Sequence, residues 1–575
     1  MSHDVLGGMA SDGMTKQNVA QPQRNRRSDV AQRARRDRSS HIVVRVLGVC
    51  AAVGLALGCA SPISRPEGGS KDSAASDASD AANGGGCAVD CAATGLACSL
   101  GRCTSSACQS SESTGQGIAG CIFYTLQADN VTADENATTS FLVANAGLAR
   151  ANVTLEVAQP ASAGAAWAQL GQFQIEVGAS QRVPIPMPGL QVTAVGVTKK
   201  AALRISSDQP VTVSEIESDN ADSLATSSGG TMVLPLQSLG IDHRVVTYPQ
   251  EATTDVQTTA GSRGGSARVM VVGTRDGTRV TFNTVGPVTG DPSGLTPDIP
   301  ALGSYEVMLD DGDVFQIYSG AEGEDLTGAE VSTNFPVAVF SGNISTTYGS
   351  NVTGINSADM AHEQMPPFSS WSKLYVAAAM TPQASVGCTS FFGMDGASIW
   401  RVVAWRNGTS VTVSGAGIPT VVYPLDAGGV QTLVEVGSFF VSANYPVLVT
   451  QGIDCEPSLS LALPVGSTTL LTSLPFAVPP SFDLLMEIVR PTGAEIDLDG
   501  SPIDSAMFQA VGNSGFGVAS VPLAACIPTD GTGVCTHLLV SKSTNAGFGM
   551  SLRGMDVGSS FAFTTPLVGC DFCVN

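Results

Sequence analysis

One short motif recurs four times along this chain and divides it into segments of domain size. Its copies, spaced by 126, 110 and 101 residues, are Ser206-Ser-Asp-Gln-Pro210, Ser332-Thr-Asn-Phe-Pro336, Ser442-Ala-Asn-Tyr-Pro446 and the less regular Ser543-Thr-Asn-Ala-Gly547. The first three copies run directly into β-branched residues, so we interpret each as a polar turn that feeds a strand. About one hundred residues is the size of a whole β-sandwich rather than of a propeller blade. The motif therefore predicts a string of related β modules.

A second pair of repeated motifs has the sequence signature of hairpin turns. The segments 275–278 and 406–409 read Arg-Asp-Gly-Thr and Arg-Asn-Gly-Thr, and each stands between two β-branched runs. Asp-Gly and Asn-Gly favour the positive φ angles of a type I′ turn. We therefore expect two β-hairpins whose turn glycines, Gly277 and Gly408, lie 131 residues apart.

A third pair has almost the same offset. The segment that begins at Pro235 and contains His243 aligns with the one that begins at Pro367 and contains Tyr375, 132 residues later. Equal offsets for independent motifs indicate duplication. Because alternating apolar residues dominate from Cys121 onward, we predict an all-β chain of about four tandem β-sandwich-like modules, with expected boundaries at 121–245, 246–370, 371–475 and 476–575.

The N-terminus has the pattern of an export signal. An arginine-rich stretch precedes a short apolar run, Val46 to Leu57, which is too short to span a bilayer and ends at Gly58-Cys59. This pattern is similar to a bacterial lipobox, so we expect residues 1–58 to be a signal peptide and Cys59 to carry lipid. An ordinary cleaved signal is the alternative. Residues 59–86, rich in Ser, Ala, Asp and Gly, are expected to be a flexible linker on an outer-membrane or cell-surface lipoprotein.

The charge of the chain excludes one class of partner. The formal net charge is −22, and residues 59–575 carry 19 basic against 46 acidic residues. Such a surface repels nucleic acid and anionic lipid, so we expect membrane contact only through the anchor.

Twelve cysteines remain after Cys50 leaves with the signal and Cys59 takes lipid. An even number in an oxidising compartment predicts disulfides, and a Cys-rich segment at 87–120 needs them because it has little apolar material. Zinc is the alternative there, but paired Cys-x₂-Cys knuckles and histidines are missing. The disulfide candidates are Cys87, Cys91, Cys98, Cys103, Cys108, Cys121, Cys388, Cys455, Cys526, Cys535, Cys570 and Cys573.

Three disulfide pairings are expected in the modules. Cys526 and Cys535 flank a short polar loop and are expected to bridge it, which leaves Cys388 and Cys455 for each other. The Cys-x-x-Cys segment 570–573 resembles a redox pair, but it lies at the chain end rather than at a helix N-terminus. We expect a structural role for it, with one sulfur able to reach Cys121.

The order of these motifs resembles that of the IgGFc-binding protein N-terminal domain family, in its bacterial lipoprotein members. The resemblance covers nearly all of 121–575 and is carried by Gly120-Cys-Ile-Phe-Tyr124, Asp129-Asn130, Leu234-Pro235, Val245-Val246, the segment 274–281, Phe335-Pro-Val-Ala-Val339-Phe-Ser-Gly342 and His362-Glu-Gln-Met-Pro-Pro367. It implies binding of an extracellular protein, by analogy with a family name that refers to the Fc part of immunoglobulin. It transfers no set of binding residues to this chain.

Candidate catalytic residues are few. Outside the leader, the histidines are His243, His362 and His537, far apart in sequence. The pair His362-Glu363 is similar to a metalloprotease helix, but Pro366 stands where the second histidine is needed. We expect His362 to be a hydrogen-bonded structural residue at a module junction. The sequence contains no nucleophile elbow or phosphate-binding glycine loop, so we predict no catalytic residue, cofactor or metal.

Two other groups of residues have a functional and a structural interpretation. Asp310-Asp-Gly-Asp313 and, more weakly, Asp497-Leu-Asp-Gly500 offer oxygen ligands for calcium, but both also suit tight turns, which we favour. Trp371, Trp400 and Trp405 are candidates for a sugar-binding platform. We favour core packing, because Trp400 and Trp405 are five residues apart and point to opposite faces of one strand.

The sequence thus predicts a surface-anchored, non-enzymatic binding or adhesion protein whose partner is an extracellular protein or glycan. Two alternatives stay open. One is a secreted hydrolase of polysaccharide or peptide, with clustered carboxyl groups of raised pKa in a cleft between modules. The other is a structural envelope protein that associates with itself.

Overall fold

The computed structural model describes residues 97–565, apart from gaps at 100–101, 113–116, 131–138, 161–165, 186–189, 218–227, 253–263, 349–357, 381–396, 416, 454–457, 466–469, 481, 525–527, 529–530, 544–545 and 557–558. These residues belong to one compact unit, Asp77–Asn575, while a second unit, Met1–Ser76, lies outside the described residues. One short α-helix, α1 (Ser106–Glu112), accompanies many strands, so the all-β prediction is confirmed. No helix within the described ranges has the length and hydropathy needed to cross a membrane.

The strands form a short hairpin followed by four sandwiches, which we number in chain order. The hairpin consists of β1 (Ala97–Ser99) and β2 (Arg102–Thr104). Sandwich 1 contains β3 (Gly120–Ala128), β4 (Ser140–Asn145), β5 (Ala151–Ala158), β6 (Trp167–Ile175), β7 (Ser180–Pro184), β8 (Gln191–Val192), β10 (Ala202–Glu217) and β11 (Gly229–Val233). Sandwich 2 contains β9 (Gly196–Thr198), β12 (Gly240–Arg244), β13 (Ala267–Gly273), β14 (Thr278–Asn283), β15 (Val288–Thr289), β16 (Ser304–Leu309), β17 (Val314–Ser319), β18 (Glu330–Thr346) and β19 (Asp359–Gln364).

Two more sandwiches follow. Sandwich 3 contains β20 (Ser372–Ala377), β21 (Ala397–Ala404), β22 (Thr409–Gly415), β23 (Ile418–Leu425), β24 (Val430–Val436), β25 (Phe439–Ile453), β26 (Ser458–Leu461) and β27 (Leu463–Pro464). Sandwich 4 contains β28 (Ser473–Val478), β29 (Asp483–Pro491), β30 (Ile496–Leu498), β31 (Ser501–Pro502), β32 (Gln509–Ala510), β33 (Phe516–Leu523), β34 (Cys535–Ser541), β35 (Gly549–Asp556) and β36 (Ser559–Thr564). Short 3₁₀ turns occur at Leu236–Ser238, Phe368–Ser370 and Ser505–Met507.

The first three sandwiches have the same strand pairing, built around one long strand. In sandwich 2 the first part of β18 pairs with β12 and β14, and its second part pairs with β13 and β19. The long strands β10 and β25 pair with their neighbours in the same order. Each long strand therefore belongs first to one layer of its sandwich and then to the other.

The recurrent motif lies in the middle of each long strand, where the strand passes between the layers. Ser332 of β18 pairs with Asp242 of β12, and Val337 pairs with Gly240. The four residues of β18 between these pairs therefore lie opposite a single residue of β12. The same shift occurs in β10 and β25, so each motif is a β-bulge of several residues that contains a proline, a residue tolerated at bulges. The prediction of a turn before a strand is wrong for this reason. In sandwich 4 the irregular copy lies where the strand breaks into β34 and β35.

The motif also holds the neighbouring turn. Asn334 accepts from the Arg279 N–H at 2.7 Å and donates to the Gly277 carbonyl at 3.1 Å. In sandwich 3, Asn444 makes the same two bonds to Ser410 and Gly408, at 2.7 and 3.0 Å. Two motifs that the sequence presents separately are therefore one structural unit.

The prediction of two β-hairpins is wrong. The strands on both sides of each turn exist, but they do not pair with each other. β13 and β14 belong to different layers of sandwich 2, as β21 and β22 do in sandwich 3. Gly277 and Gly408 both have φ of 72°, but the preceding Asp276 and Asn407 are not left-handed, as a type I′ turn would require. These turns carry the chain between layers and do not reverse it within one.

The sandwiches close into a ring through four strands, one from each sandwich. β11 packs against β19 and β36, and β26 packs against the same two strands, so the four lie around a common axis. Separate apolar clusters join sandwiches 1 and 2, 2 and 3, 3 and 4, and 4 and 1. The modules therefore do not form the open string that tandem repeats suggested.

Two of these junctions use the same glycine–proline contact. A Cβ on Gly120 would lie 2.3 Å from the Cβ of Pro235, and a Cβ on Gly240 would lie 2.4 Å from the Cβ of Pro367. Each proline begins the 3₁₀ turn that precedes the first strand of the next sandwich. The backbones approach so closely that only glycine fits.

The structure describes some of the cysteines that the sequence analysis named. Cys108 is joined to Cys121, 13 residues later, so the expected link from Cys121 to Cys570 or Cys573 is wrong. Ser105 donates to the Asp208 carbonyl at 2.7 Å and fixes this segment to the bulge of sandwich 1. Cys535 is disulfide-bonded, and the backbone register of β1 and β2 sets Cys98 opposite Cys103. The remaining candidates lie outside the described residues: Cys59, Cys87, Cys91, Cys388, Cys455, Cys526, Cys570 and Cys573.

The glycine–proline contact gives a stability prediction. We expect Gly240→Ala to destabilise the folded chain by about 2 kcal/mol, because its methyl group would overlap Pro367. Thermal unfolding followed by circular dichroism measures this. The matched control is Gly517→Ala, whose Cβ would meet its nearest neighbour at an ordinary 3.4 Å. Equal melting temperatures for the two variants would show that the junction is loose.

Candidate functional site

The strongest cluster of titratable groups lies between sandwiches 1 and 2. Glu215 and Glu217 lie two residues apart on β10, so their side chains share a face, and both are fully buried. The Thr125 hydroxyl donates to Glu215. Glu217 accepts from the Ala128 N–H at 2.9 Å and from the Thr139 hydroxyl.

Sandwich 2 supplies the other side of this cluster. The Nε2 atom of His362 lies 3.5 Å from Oε1 of Glu215, and its ring stacks on Phe340 with centroids 5.3 Å apart. Arg268, from β13, donates to the Asp129 carbonyl. Neither ring nitrogen of His362 makes a hydrogen bond within the described part of the chain. The prediction that His362 lies at a module junction is confirmed, and the prediction that its side chain is hydrogen-bonded is wrong.

Burial sets the protonation of these groups. It raises the pKa of Glu215 to about 7, against the lowering effect of its bond from Thr125. It raises the pKa of Glu217 to about 8, with a further contribution from the neighbouring Glu215 carboxylate. Burial, helped by Arg268, lowers the pKa of His362 to about 3, so its imidazole is neutral.

Two other fully buried carboxyl groups lie on β19 and β29. Glu363 accepts from the Thr231 hydroxyl at 2.7 Å, and burial raises its pKa well above the usual range. Glu487 accepts from Ser520 at 2.8 Å, and burial raises its pKa to about 8. Carboxyl groups kept neutral by burial are thus a repeated feature of the ring interior.

One carboxylate joins three sandwiches at the axis. Asp359, at the start of β19, accepts from the Ser228 N–H beside β11. It also accepts from the N–H of Ser560 at 2.6 Å and from its hydroxyl at 3.0 Å, both on β36. Ser228 in turn donates to the Ser560 carbonyl at 2.7 Å. The first and last sandwiches are tied through a residue of the second.

Chemically, a carboxyl group with a pKa near 7 is suited to general acid or base catalysis. Glu215, Glu217, Glu363 and His362 have at most 1% of their surface exposed, so no substrate reaches them in this conformation. The hydrolase alternative requires such groups in an open cleft. Here they fill a junction between modules.

The other two histidines have different surroundings. His243, on β12, is fully buried, and neither ring nitrogen has a hydrogen-bond partner within the described residues; burial lowers its pKa to about 3. Its counterpart Tyr375, at the same place on β20, donates to the Val447 carbonyl at 2.7 Å. His537 bonds to Asp499 at 2.8 Å through Nδ1.

The acidic segment Asp310–Asp313 forms the turn between β16 and β17, with Gly312 at φ of 83°. Asp313 is buried and lies 2.7 Å from the Lys199 ammonium group. Asp311 accepts from Tyr124 and Trp167, each at 2.9 Å. These carboxylates are occupied by donors of sandwich 1, and the prediction of a turn is confirmed.

The weaker acidic segment is also a turn. Asp499 and Gly500 have φ of 53° and 78° and connect β30 to β31. Asp497 pairs with Lys542 at 2.9 Å. No group of three or more His, Cys, Asp or Glu side chains suited to a metal ion occurs among the residues that the structure describes.

The tryptophans belong to the interior, as predicted. Trp371 and Trp400 are buried, and Trp405 is half-buried. Trp405 stacks on Phe368 with centroids 4.1 Å apart and lies beneath the Arg244 guanidinium at 5.1 Å. This stack belongs to the junction between sandwiches 2 and 3 and offers no open platform for a sugar.

The exposed chemistry lies on turns and edge strands. Arg275 packs over the ring of Phe335 at 4.4 Å, and Arg406 packs over Tyr445 at 5.1 Å. Both pairs combine a turn arginine with the aromatic residue of the recurrent motif. The ring therefore presents repeated surface features around a closed interior.

Sequence reasoning missed the buried carboxylates. The sequence does not reveal the burial of Glu215 and Glu217, because single acidic residues in a strand usually face solvent, and Glu363 stands out only beside His362. A signal was present in Glu215 and Glu217, which lie two residues apart in a strand otherwise rich in apolar residues. That spacing places both on the same face, but nothing in the sequence shows that a second sandwich covers it.

These features define an all-β protein of several sandwiches, with repeated surface elements and a closed polar interior. Residues 229–554 match a family described as IgGFc binding protein, so the chain belongs to that family, as its motif order suggested. No curated protein matches the sequence.

Among solved structures, the chain was compared with the crystal structure of Salmonella alpha-2-macroglobulin reacted with methylamine. The two are 9% identical with a TM-score of 0.10, over 77% of this chain and 32% of that one. The chain thus spans about a third of that protein's length, and a TM-score this low supports no conclusion about the fold.

The buried carboxyl pair gives a prediction of pH dependence. Because the pKa of Glu217 is raised in the folded state from 4.5 to about 8, the stability that its protonated form contributes is fully present below pH 4.5 and is lost as the pH rises from there to about 8. Glu217→Gln keeps a neutral hydrogen-bonding group. We expect the variant to exceed the native chain in unfolding free energy by about 4 kcal/mol at pH 8, and to match it near pH 4.5.

Urea unfolding at a series of pH values measures this difference. Glu306→Gln serves as the control, because Glu306 is a largely exposed carboxylate on β16. A gain for Glu217→Gln that is constant across the pH range would contradict the assigned pKa.

Proposed function

We propose that this chain is a surface-anchored, non-enzymatic binding or adhesion protein that recognises an extracellular protein or glycan. The observation that carries the proposal is membership of the IgGFc binding protein family, on a scaffold whose most reactive groups are buried in junctions. Rigid β scaffolds of this kind commonly carry recognition on exposed loops and edges. The ligand itself is not identified by the family name.

The proposed organisation places the ring at the end of an anchored stalk. Residues 1–58 are the signal peptide, Cys59 carries lipid, 59–86 form the linker and 87–120 the Cys-rich segment. The four modules follow at 121–245, 246–370, 371–475 and 476–575. Export is supported by the disulfide between Cys108 and Cys121, since such bonds persist in oxidising compartments. We place the anchor in the outer membrane or at the cell surface.

Binding is tested by screening the purified full-length chain against glycan, mucin and immunoglobulin arrays. We expect saturable binding to at least one class, with no change in the mass of the bound material. Cleavage of peptide or glycan without stable binding would instead support the hydrolase. Self-association as the only detectable interaction would support the structural envelope protein.

The anchor is tested separately with Cys59→Ala. We expect the native chain in the membrane fraction and the variant in the soluble fraction, because the acyl chains supply the membrane affinity. Metabolic labelling with a clickable fatty acid provides the second measurement. Equal membrane retention of both chains, with no label on either, would remove the lipoprotein assignment.

A further inference from the structure

Two carboxyl groups share a hydrogen bond at the junction of sandwiches 1 and 2. Glu215 and Glu217 lie on the same face of β10, and the hydrogen bond between their carboxyl groups lowers the pKa of Glu215. Such a bond requires a proton on one of the two groups, because an ionised carboxylate only accepts. The pair also accepts from the hydroxyl groups of Thr125 and Thr139 and from the Ala128 N–H. In this arrangement the Glu215–Glu217 dyad therefore holds at least one proton.

Among the described side chains around the dyad, only one is a cation. The charged and titratable groups there are Tyr124 on β3, Asp129 after it, Arg268 on β13, Tyr318 on β17, and Asp359, His362 and Glu363 on β19. The core-facing residues of β4, β5, β7 and β11 are apolar or carry hydroxyl groups. Burial keeps His362 and Glu363 neutral by lowering the pKa of the first and raising that of the second. Arg268 therefore balances one negative charge on the dyad, but not two.

Three hydrogen bonds beside the dyad connect the two sandwiches. The Gln364 side-chain oxygen accepts from the Leu234 N–H at 2.6 Å, and the Thr231 hydroxyl accepts from the Gln364 N–H at 2.9 Å. The same hydroxyl donates to Glu363 at 2.7 Å. Each bond joins a residue on or next to β11 of sandwich 1 to β19 of sandwich 2. Because two of them use backbone N–H groups, separation of the sandwiches would free those amides for exchange.

The junction between sandwiches 2 and 3 is built differently. Arg401, on β21, lies 2.5 Å from the carboxylate of Asp325 and donates to the Thr247 carbonyl at 2.7 Å. This arginine has its own carboxylate, and their pairing requires no shared proton. The second junction therefore serves as an internal reference for the first.

We propose that the Glu215–Glu217 dyad is a proton-operated latch on the ring, which holds sandwiches 1 and 2 together while it shares a proton and releases them when that proton is lost. Loss of the last proton leaves two adjacent carboxylates with one arginine in a junction that excludes water. A buried charge without a partner is strongly destabilising, and entry of water between the sandwiches relieves it. Separation would uncover apolar side chains of sandwich 2, among them Met270, Val272 and Phe340.

The direction of the pH effect follows from the two raised pKa values. Burial raises the pKa of Glu215 to about 7 and that of Glu217 to about 8, both from 4.5. The stability that the bound protons contribute is fully present below pH 4.5 and is lost as the pH rises from there to about 8. The latch is therefore closed in acidic and neutral solution and opens in mildly alkaline solution.

Hydrogen exchange of the native full-length chain tests the latch without a variant. Rates are measured for single amides at pH of about 6 and about 9.5, on either side of the expected opening, and divided by the rate of an unstructured peptide at the same pH. We expect the protection of the Leu234 and Gln364 amides to fall by about tenfold or more at the higher pH. The Tyr248 amide, bonded to Asn343 within sandwich 2 at 2.8 Å, should keep its protection.

Thiol labelling provides a second measurement. Val272→Cys places a thiol in this junction, and Val403→Cys places one 131 residues later, in the cluster that joins sandwiches 2 and 3; both valines are fully buried. After correction for the thiolate fraction, labelling of the first variant should accelerate about tenfold or more between the two pH values, and labelling of the second should not. Adding Glu217→Gln to Val272→Cys should abolish the acceleration, because an amide cannot ionise.

Three results would overturn the latch. The first is protection of the Leu234 and Gln364 amides that does not change with pH, which decides the question even where a cysteine variant fails to fold. The second is an acceleration of labelling that persists with Glu217→Gln. The third is an equal loss of protection at Tyr248, which would mean that sandwich 2 unfolds rather than separates from sandwich 1.

Discussion

The close packing of four short strands around one axis is the constraint on which the rest of the structure depends. β11, β19, β26 and β36 approach so closely that a Cβ on Gly230 would lie 3.0 Å from the Cβ of Phe561. At this distance a buried polar group without a partner inside the protein is costly, because water is excluded. Asp359 meets that need by joining backbone and hydroxyl groups of two other sandwiches.

The axis determines what the outside of the molecule presents. Each sandwich contributes one strand to the centre, and strands such as β16 and β23 lie at outer sheet edges. The recurrent motif then fixes the turns, because Asn334 and Asn444 hold the neighbouring segments in the same geometry. A protein built this way has a closely packed interior and repeated peripheral features.

Much of this architecture was readable from the sequence, and the failures have physical causes. Alternation and equal offsets predicted strands, duplication and an all-β fold, because both patterns reflect local periodicity. The motif at Ser332–Pro336 was misinterpreted because serine, asparagine and proline suit a bulge as well as a turn. Hairpin pairing around Gly277 failed because a local signal gives the turn but not the layer that each strand joins.

The candidate site was less predictable. Burial of Glu215 and Glu217 depends on a second sandwich, and packing between modules leaves almost no local signal. Ring closure has the same origin, since the contact between Ser180 and Thr536 joins residues 356 positions apart. By contrast, turns at Asp310–Asp313 and buried tryptophans follow from local composition and strand geometry, and these were predicted correctly.

Ring closure is tested most directly by introducing cysteines at Ser180 and Thr536, whose hydroxyl oxygens are in contact across the junction of the first and last sandwiches. Oxidation of the monomeric double variant, followed by peptide mass spectrometry, should yield a new intramolecular 180–536 disulfide in nearly every molecule. Failure of this bond to form in a folded monomer, with both new thiols free for alkylation, would mean that the four sandwiches form an open array.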